Sequence, residues 1–294
     1  MNIRTCNQLQ ASQGFSDADL IALATDDSLL FHYTSYSAFR NIVETKKLRA
    51  THFSQLSDTS EVSHAMALLR KLAYLRMEAA EPAQKAFLEQ LLTRERQIRE
   101  MPIFTCSFTA DHGNLLSQWQ AYCPTERGGG LSFGIDPRRL KSSAERQNFR
   151  MLKCSYDIDE HSTLLDQWLD EVLADMDQYR NSPDSFELHS QNLIDRAVRM
   201  KAPAFNAESE WRLVKTLKNW HDKEIKFRDA PFRIIPYIEL ELPVSYRESF
   251  QAEGIFIGPS PEKELSRASV QTLLASQYAV FGGGIRDSEI PLRV

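Results

Sequence analysis

The chain has 294 residues, 42% apolar and 26% charged, with a formal net charge of −5. Those are ordinary globular proportions and exclude a disordered chain or a coiled coil. The negative balance excludes nucleic-acid binding by the surface as a whole and leaves that role only to a local basic patch.

In chain order, Ser16 can cap a short helix over 16–26, and 29–34 reads as a strand. Ser35 or Ser37 then starts a helix through Phe39, Ile42 and Val43 that ends near Lys46 and Lys47, where cations suit a helix C-terminus. A second short strand covers 48–53. From about 59 to 100 the pattern is helical, with Val62, Met66, Leu69 and Leu72 on one face and Leu88, Leu91 and Ile98 resuming it. Pro82 divides this insertion-sized stretch into two helices. Residues 103–109 form a strand in which Phe104, Cys106 and Phe108 alternate with Thr105, Ser107 and Thr109. A short helix over 115–122 precedes a glycine-opened strand at 128–135. Then come a strand at 151–157, a mostly helical stretch at 160–203, and strands at 210–214, 234–242, 254–258 and 279–281, with a helix at 261–276. Strands and helices mix without strict alternation, which favours an α+β fold over a doubly wound sheet. With no repeat and no linker, one domain over 1–294 is expected, carrying helical stretches at about 59–100 and 160–203.

Three groups of residues could carry chemistry. His32, Tyr33 and Thr34 offer hydrogen-bonding groups on both faces of the first strand. The plain structural account of His32 is a ring at the edge of the core that holds a backbone carbonyl. Glu208 and Glu210, read as strand residues two apart, would project from one face, where a carboxylate pair can oppose a developing positive charge. The competing account is an exposed strand edge whose acids bridge Arg212 or nearby lysines. Trp119 and Tyr122 sit three apart on a short helix before Gly128, Gly129 and Gly130, an arrangement that suits a flat heterocycle and close backbone approach. Core packing is the other use of such rings.

Other classes find less support. The glycine run precedes a strand, so it lacks the helix N-terminus on which dinucleotide and P-loop fingerprints depend. Cys6, Cys106, Cys123 and Cys154 include no Cys-x-x-Cys pair, which points to reduced, buried thiols. The histidines lack metal-type spacing, and no nucleophile elbow is present, although Cys106 and Ser107 stay open as nucleophiles. The basic residues Arg138, Arg139, Lys141, Arg146 and Arg150 read as a solvated face, with an RNA-facing patch as the alternative. Asp58 and Glu61 with the Glu208/Glu210 pair would suit Mg²⁺ in a nuclease-like effector. No apolar run nears the roughly 20 residues of a membrane span, and residues 1–14 lack a secretory pattern, so a cytoplasmic location away from membranes is expected.

The series Phe31-His32-Tyr33-Thr34, Leu48, Asp58 with Glu61, Ser107, Trp119 with Tyr122, Gly128 to Gly130, Glu208 to Arg212, and the closing Ser288 to Arg293 resembles a widespread bacterial family of uncharacterised domains. That family in turn resembles a remote branch of the ADP-ribosyltransferases. The resemblance implies a mixed or antiparallel split sheet and NAD as substrate. It also implies an acceptor that is a protein or nucleic acid, and a role as a toxin or phage-defence effector with a neutralising antitoxin protein as partner. It assigns His32 to a ribose hydroxyl with Thr34 in support and Tyr33 beside them, and Ser107 to the strand flanking nicotinamide. Tyr122, with Trp119 nearby, would stack on that ring. Glu210 becomes the catalytic glutamate and Glu208 the acid that orients the acceptor. A nucleotide-binding sensor without transfer activity is the alternative.

Overall fold

Ser35 ends the first strand and starts the first helix, its hydroxyl accepting from the Ala38 amide at 3.3 Å. β1 (Leu30–Ser35) therefore passes directly into α1 (Tyr36–Thr45), which turns Phe39, Ile42 and Val43 inward at helical spacing. The helix stops at Lys46, left-handed at φ 58°, whose amide donates to the Ile42 carbonyl at 2.7 Å, and the chain reverses into β2 (Lys47–His52). The computed structural model describes residues 29–55, 60–110, 113–123 and 128–291. The expected helix at 16–26, Cys6, Asp58, Arg293 and the side chains of Glu61 and Ile98 lie outside the described residues.

The helical stretch at 60–99 is two helices, α2 (Ser60–Ala79) and α3 (Pro82–Arg99). Pro82 opens the second, where a missing amide hydrogen costs no helical bond. β3 (Ile103–Thr109), α4 (Leu116–Tyr122) and β4 (Gly130–Ile135) follow, then α5 (Pro137–Glu145). β5 (Arg150–Lys153) is shorter than the strand expected at 151–157. The stretch after it divides into α6 (Ile158–Ala174), α7 (Met176–Asn181) and α8 (Pro183–Ala197), with Asp175 between the first two and Pro183 opening the third. A 3-10 turn, Pro203–Glu208, leads into β6 (Glu210–Thr216). β7 (Lys226–Ala230) and β8 (Arg233–Glu241) form a hairpin. β9 (Gln251–Ala252), β10 (Gly254–Ile257), α9 (Lys263–Ser276), β11 (Val280–Phe281) and β12 (Ile285–Asp287) complete the described elements.

The main sheet runs β12-β10-β4-β1-β3-β2-β8-β7, with β6 on the other edge of β3 and β5 outside β6. Its described ladders are antiparallel except for β10 with β12, so the fold is α+β with a mixed open sheet. β9 and β11 form a separate parallel pair. β6 pairs with all of β3, from Ile103↔Thr216 to Thr109↔Glu210. The opposite edge of β3 is shared. β2 takes its start through Thr51↔Thr105 and His52↔Phe104, and β1 takes its end through Phe31↔Thr109 alone. β1 and β2 therefore part beside Ser107, and the sheet splits there.

Alternation along the strands feeds two cores. Phe104, Cys106 and Phe108 join Phe133, Ile238, Leu240 and the buried residues of α1, α5 and α9 on one face. On the other, α2 and α3 pack with α6 and α8 around Trp168, Leu165, Met66 and Phe87, tied to the sheet by Ile103 and Val214. The two helical stretches read separately in the sequence thus share one hydrophobic cluster. Each large side chain buried there stabilises the fold by about 1.5–3 kcal/mol.

Candidate active-site cleft

The face of the sheet that carries the helical cluster is left partly uncovered next to it, and a cavity of about 450 Å³ opens there. This volume suits a small-molecule ligand. Cross-strand partners point to the same face, so register decides what lines the cavity. Thr105, Ser107 and Thr109 of β3 stand beside Val214, Arg212 and Glu210 of β6. On the far side of the split, Thr51 faces the same way as Thr105, and Arg49 lies two residues before it. α4 roofs the space with Gln118, Ala121 and Tyr122.

Glu208 and Glu210 meet at the cleft, but not by sharing a strand. Glu208 is the last residue of the 3-10 turn, and Ser209 is left-handed at φ 44°, so the chain turns between the two acids. Lys201 brings them together. Its ammonium donates to Glu210 Oε2 at 2.5 Å and also to Glu208 Oε2. Arg212 donates from Nε to Glu210 Oε1 at 2.8 Å and from Nη2 to Oε2 at 3.1 Å, while its Nη1 reaches the Val198 carbonyl at 2.7 Å. The Glu210 amide donates to the Tyr156 hydroxyl at 2.8 Å. Glu210 is only 4% exposed. Burial pushes its pKa up, but the charges and hydrogen bonds of Arg212 and then Lys201 outweigh that and bring it from 4.5 down to about 2. The carboxylate is therefore ionised at neutral pH. Lys201 loses basicity to burial and regains more from the two carboxylates, so its pKa is raised overall and it stays charged. Its ammonium occupies the space between the two acids that a metal-based reading would give to a divalent cation. Among the described residues, no group of three His, Cys, Asp or Glu could hold a metal ion.

His32 reaches the cleft through the split. Its ring packs on the opposite face, 5.5 Å from Phe108 and 5.6 Å from Phe133 between ring centres. Nδ1 lies 3.0 Å from the Ser107 carbonyl, the acceptor left between β1 and β2. A carbonyl only accepts, so Nδ1 carries the hydrogen. Burial lowers the His32 pKa, the bond to Ser107 opposes this, and burial wins, leaving the ring neutral. His32 thus holds a backbone carbonyl and also lines the cavity.

The remaining sequence candidates separate. Tyr122 lines the cavity and is 45% exposed, with its phenol pushed up to about 12 by desolvation and then by the Glu210 charge. Trp119, three residues earlier, is 2% exposed and lies outside the cleft. It packs edge-on against Tyr33 at 4.7 Å and donates to Asn114 Oδ1 at 2.9 Å. Tyr33 lines the cavity while its hydroxyl accepts from the Leu115 amide at 2.9 Å. Thr34 is buried away from the cavity. Gly128, Gly129 and Gly130 do not line the cavity, and Gly130 serves the protein's own backbone, since a Cβ there would lie 2.2 Å from the Thr34 carbonyl oxygen and 2.8 Å from Cys123 Sγ. Cys106, Cys123 and Cys154 are buried. Burial, with Glu210 nearby, pushes the Cys106 thiol up to about 12, which makes it a poor nucleophile. Arg138, Arg139, Lys141 and Arg150 each meet a carboxylate, so four of the five residues of the expected basic face are charge-compensated, while Arg146 donates to Ser142 Oγ at 2.8 Å.

Sequence reasoning missed Lys201 and Tyr156, which fix Glu210, and three arginines on the far wall: Arg49 of β2, Arg228 of β7 and Arg233 of β8. Lys201 could have been found from the buried acid pair, which needs a cation. Arg228 and Arg233 flank the Pro231-Phe232 turn of a hairpin whose first strand was not read.

A family of proteins of unknown function, DUF2971, is similar to this chain over residues 118–213. That third of the chain holds Tyr122, Lys201, Glu208, Glu210 and Arg212. Neither a curated protein nor a solved structure matches the chain. Among the described residues, no helix is long and apolar enough to cross a membrane.

Proposed function

We propose that this chain is an ADP-ribosyltransferase-like enzyme that cleaves NAD and passes ADP-ribose to an acceptor. The observation that carries this reading is the placement of ionised Glu210 in the same cleft as Ser107 and Tyr122, where the sheet splits. In the proposed reaction the bond between the ribose carbon and the nicotinamide nitrogen breaks, and its electron pair leaves with nicotinamide. The sugar carbon becomes oxocarbenium-like. Glu210, held by Arg212 and Lys201 with an oxygen lone pair to spare, accepts a hydrogen bond from the ribose 2′-hydroxyl and opposes the growing positive charge. Tyr122 supplies the ring beside nicotinamide. The acceptor forms the new bond to the sugar carbon, and its proton passes to Glu208 and on to water. A protein or nucleic-acid acceptor, and a role as a cytoplasmic toxin or phage-defence effector with an antitoxin partner, belong to the same proposal.

The test is labelled NAD incubated with purified protein, with and without cell lysate, comparing wild type with Glu210→Gln. The expected result is nicotinamide release or label transfer that falls about 10²–10³-fold in the variant. Release that is absent from the wild type under every acceptor condition overturns the enzyme reading. One observation favours a second reading, a nucleotide-binding module without transfer: Glu210 already has two cationic partners within the protein. Under that reading NAD binds, no nicotinamide appears, and any growth arrest on expression survives Glu210→Gln.

A further inference from the structure

We propose that Arg49, Arg228 and Arg233 form a site for the phosphate or pyrophosphate group of the ligand that occupies the cleft. Three separate strands supply these residues, and the ladder register gathers them. Thr51 pairs with Tyr237, and Arg49 lies two residues before Thr51 on the same face of β2. Arg228 pairs with Ile235, and Arg233 lies two residues before Ile235 on the same face of β8. All three line the cavity that Glu208 and Glu210 line.

Glu239, the cross-strand partner of Arg49, is engaged by Lys47 and Lys226. Arg76, Arg150, Arg196 and Arg212 each meet a carboxylate, whereas Arg49, Arg228 and Arg233 have none within ion-pair distance among the described residues. Arg49 instead lies over the Tyr237 ring at 4.9 Å, which steadies it without neutralising it. Arg228 Nε is buried and has no hydrogen-bond partner. Burial, followed by the fields of Arg49 and then Arg233, lowers the Arg228 pKa, as expected where like charges converge. A buried, unbonded donor inside a cluster of three cations suits a multiply charged anion. Guanidinium forks match phosphate oxygens in pairs, and three of them suit a group with more than one negative charge.

The position within the cleft fits a sugar phosphate. β3 passes from Thr105, beside the β2 wall, to Thr109, beside Glu210. Four residues of extended strand cover roughly 13 Å, and inward-reaching arginine side chains shorten that span. The cations stand at one wall and Glu208 and Glu210 at the other. This inference rests on the proposed function for the identity of the nucleotide, but the anion site itself can be tested without turnover.

Calorimetric titration with inorganic pyrophosphate, ADP and adenosine would measure it, using wild type and the single variants Arg49→Ala, Arg228→Ala and Arg233→Ala. Thermal melts would verify that each variant folds, and Arg228→Lys and Arg233→Lys would retain charge but lose the fork. Pyrophosphate and ADP are expected to bind the wild type, adenosine at least 10-fold more weakly than ADP. Each alanine variant should lose 10-fold or more for pyrophosphate, with the lysine variants in between. Equal affinity for ADP and adenosine, or folded alanine variants that bind pyrophosphate like the wild type, would overturn the site. Binding of single-stranded RNA without any binding of pyrophosphate or ADP would also overturn it. Arginine-dependent pyrophosphate binding without nicotinamide release would leave the site standing and remove the enzyme reading. Nicotinamide release that is indifferent to all three arginines would do the reverse.

Discussion

Arg212 grips Glu210 from two positions further along the same strand, with Nε on one carboxylate oxygen at 2.8 Å and Nη2 on the other at 3.1 Å. Both side chains are about nine-tenths buried or more, so each depends on the other for compensation. Arg212→Leu leaves Glu210 with Lys201 alone and should cost about 3–5 kcal/mol, read from urea unfolding. The pH dependence follows from the lowered Glu210 pKa. The folded group loses its proton near pH 2 and the unfolded group near 4.5. Between these values the unfolded chain binds the extra proton, so stability rises with pH. The contribution is complete above 4.5 and disappears as pH falls towards 2. Glu210→Gln should flatten the stability curve in that window. A curve identical to wild type would mean that Glu210 is not paired as described.

His32 makes the second prediction. Its Nδ1–H donates to the Ser107 carbonyl at the split, and burial lowers its pKa below 6.5. On acidification the unfolded chain takes up the proton first. Stability from neutral His32 is therefore present above the unfolded pKa and is lost as pH falls through and below 6.5. Nitrogen-edited NMR at pH 7 should show a neutral ring protonated at Nδ1. An imidazolium signal at the unfolded pKa would contradict the burial argument. His32→Ala leaves the Ser107 carbonyl unpaired and should cost about 1–3 kcal/mol.

These two residues also show how much the sequence could say. Alternation in 103–109 located β3 and its polar face, because a half-buried strand writes its two faces into the chain with period two. Pro82 and Ser35 marked helix starts through local chemistry. That Glu208 and Glu210 come together was legible, yet their geometry was not. A strand reading placed both acids on one face, whereas left-handed Ser209 turns the chain between them and Lys201 gathers them from outside the motif. Trp119 and Tyr122 looked like one aromatic pair, but only tertiary packing decides that Tyr33 claims the indole and the cleft claims the phenol. The arginine wall was out of reach for the same reason. β2 meets β8 across 190 residues, as in Arg49↔Glu239, and no local period records such a pairing.

Tyr122 gives a third prediction. Its ring lines the cavity, and its phenol should stay protonated until about pH 12. Tyr122→Ala removes a half-exposed ring, so the melting temperature should barely change, whereas NAD affinity should fall by about 1–3 kcal/mol if the ring stacks on the base. Tyr122→Phe should keep the affinity. Equal loss in both variants would shift the role from the ring face to the hydroxyl.

Gly130 separates two uses of the glycine run. It pairs with Ser35 across β1 and β4, and an added Cβ would strike the Thr34 carbonyl oxygen at 2.2 Å, a backbone atom that cannot move without breaking the ladder. Gly130→Ala should therefore destabilise the protein by about 3 kcal/mol or prevent folding. Gly128 is the control, since nothing lies within 4 Å of its would-be Cβ and only its φ of +89° opposes a side chain. Gly128→Ala should cost about 1 kcal/mol through backbone strain alone. Comparing the two by thermal unfolding isolates the steric effect from the conformational one. If both variants lose the same stability, the run acts through backbone freedom. If Gly128→Ala folds well but loses nucleotide affinity, the first glycine keeps the ligand-approach role expected of the run, while Gly130 serves the strand.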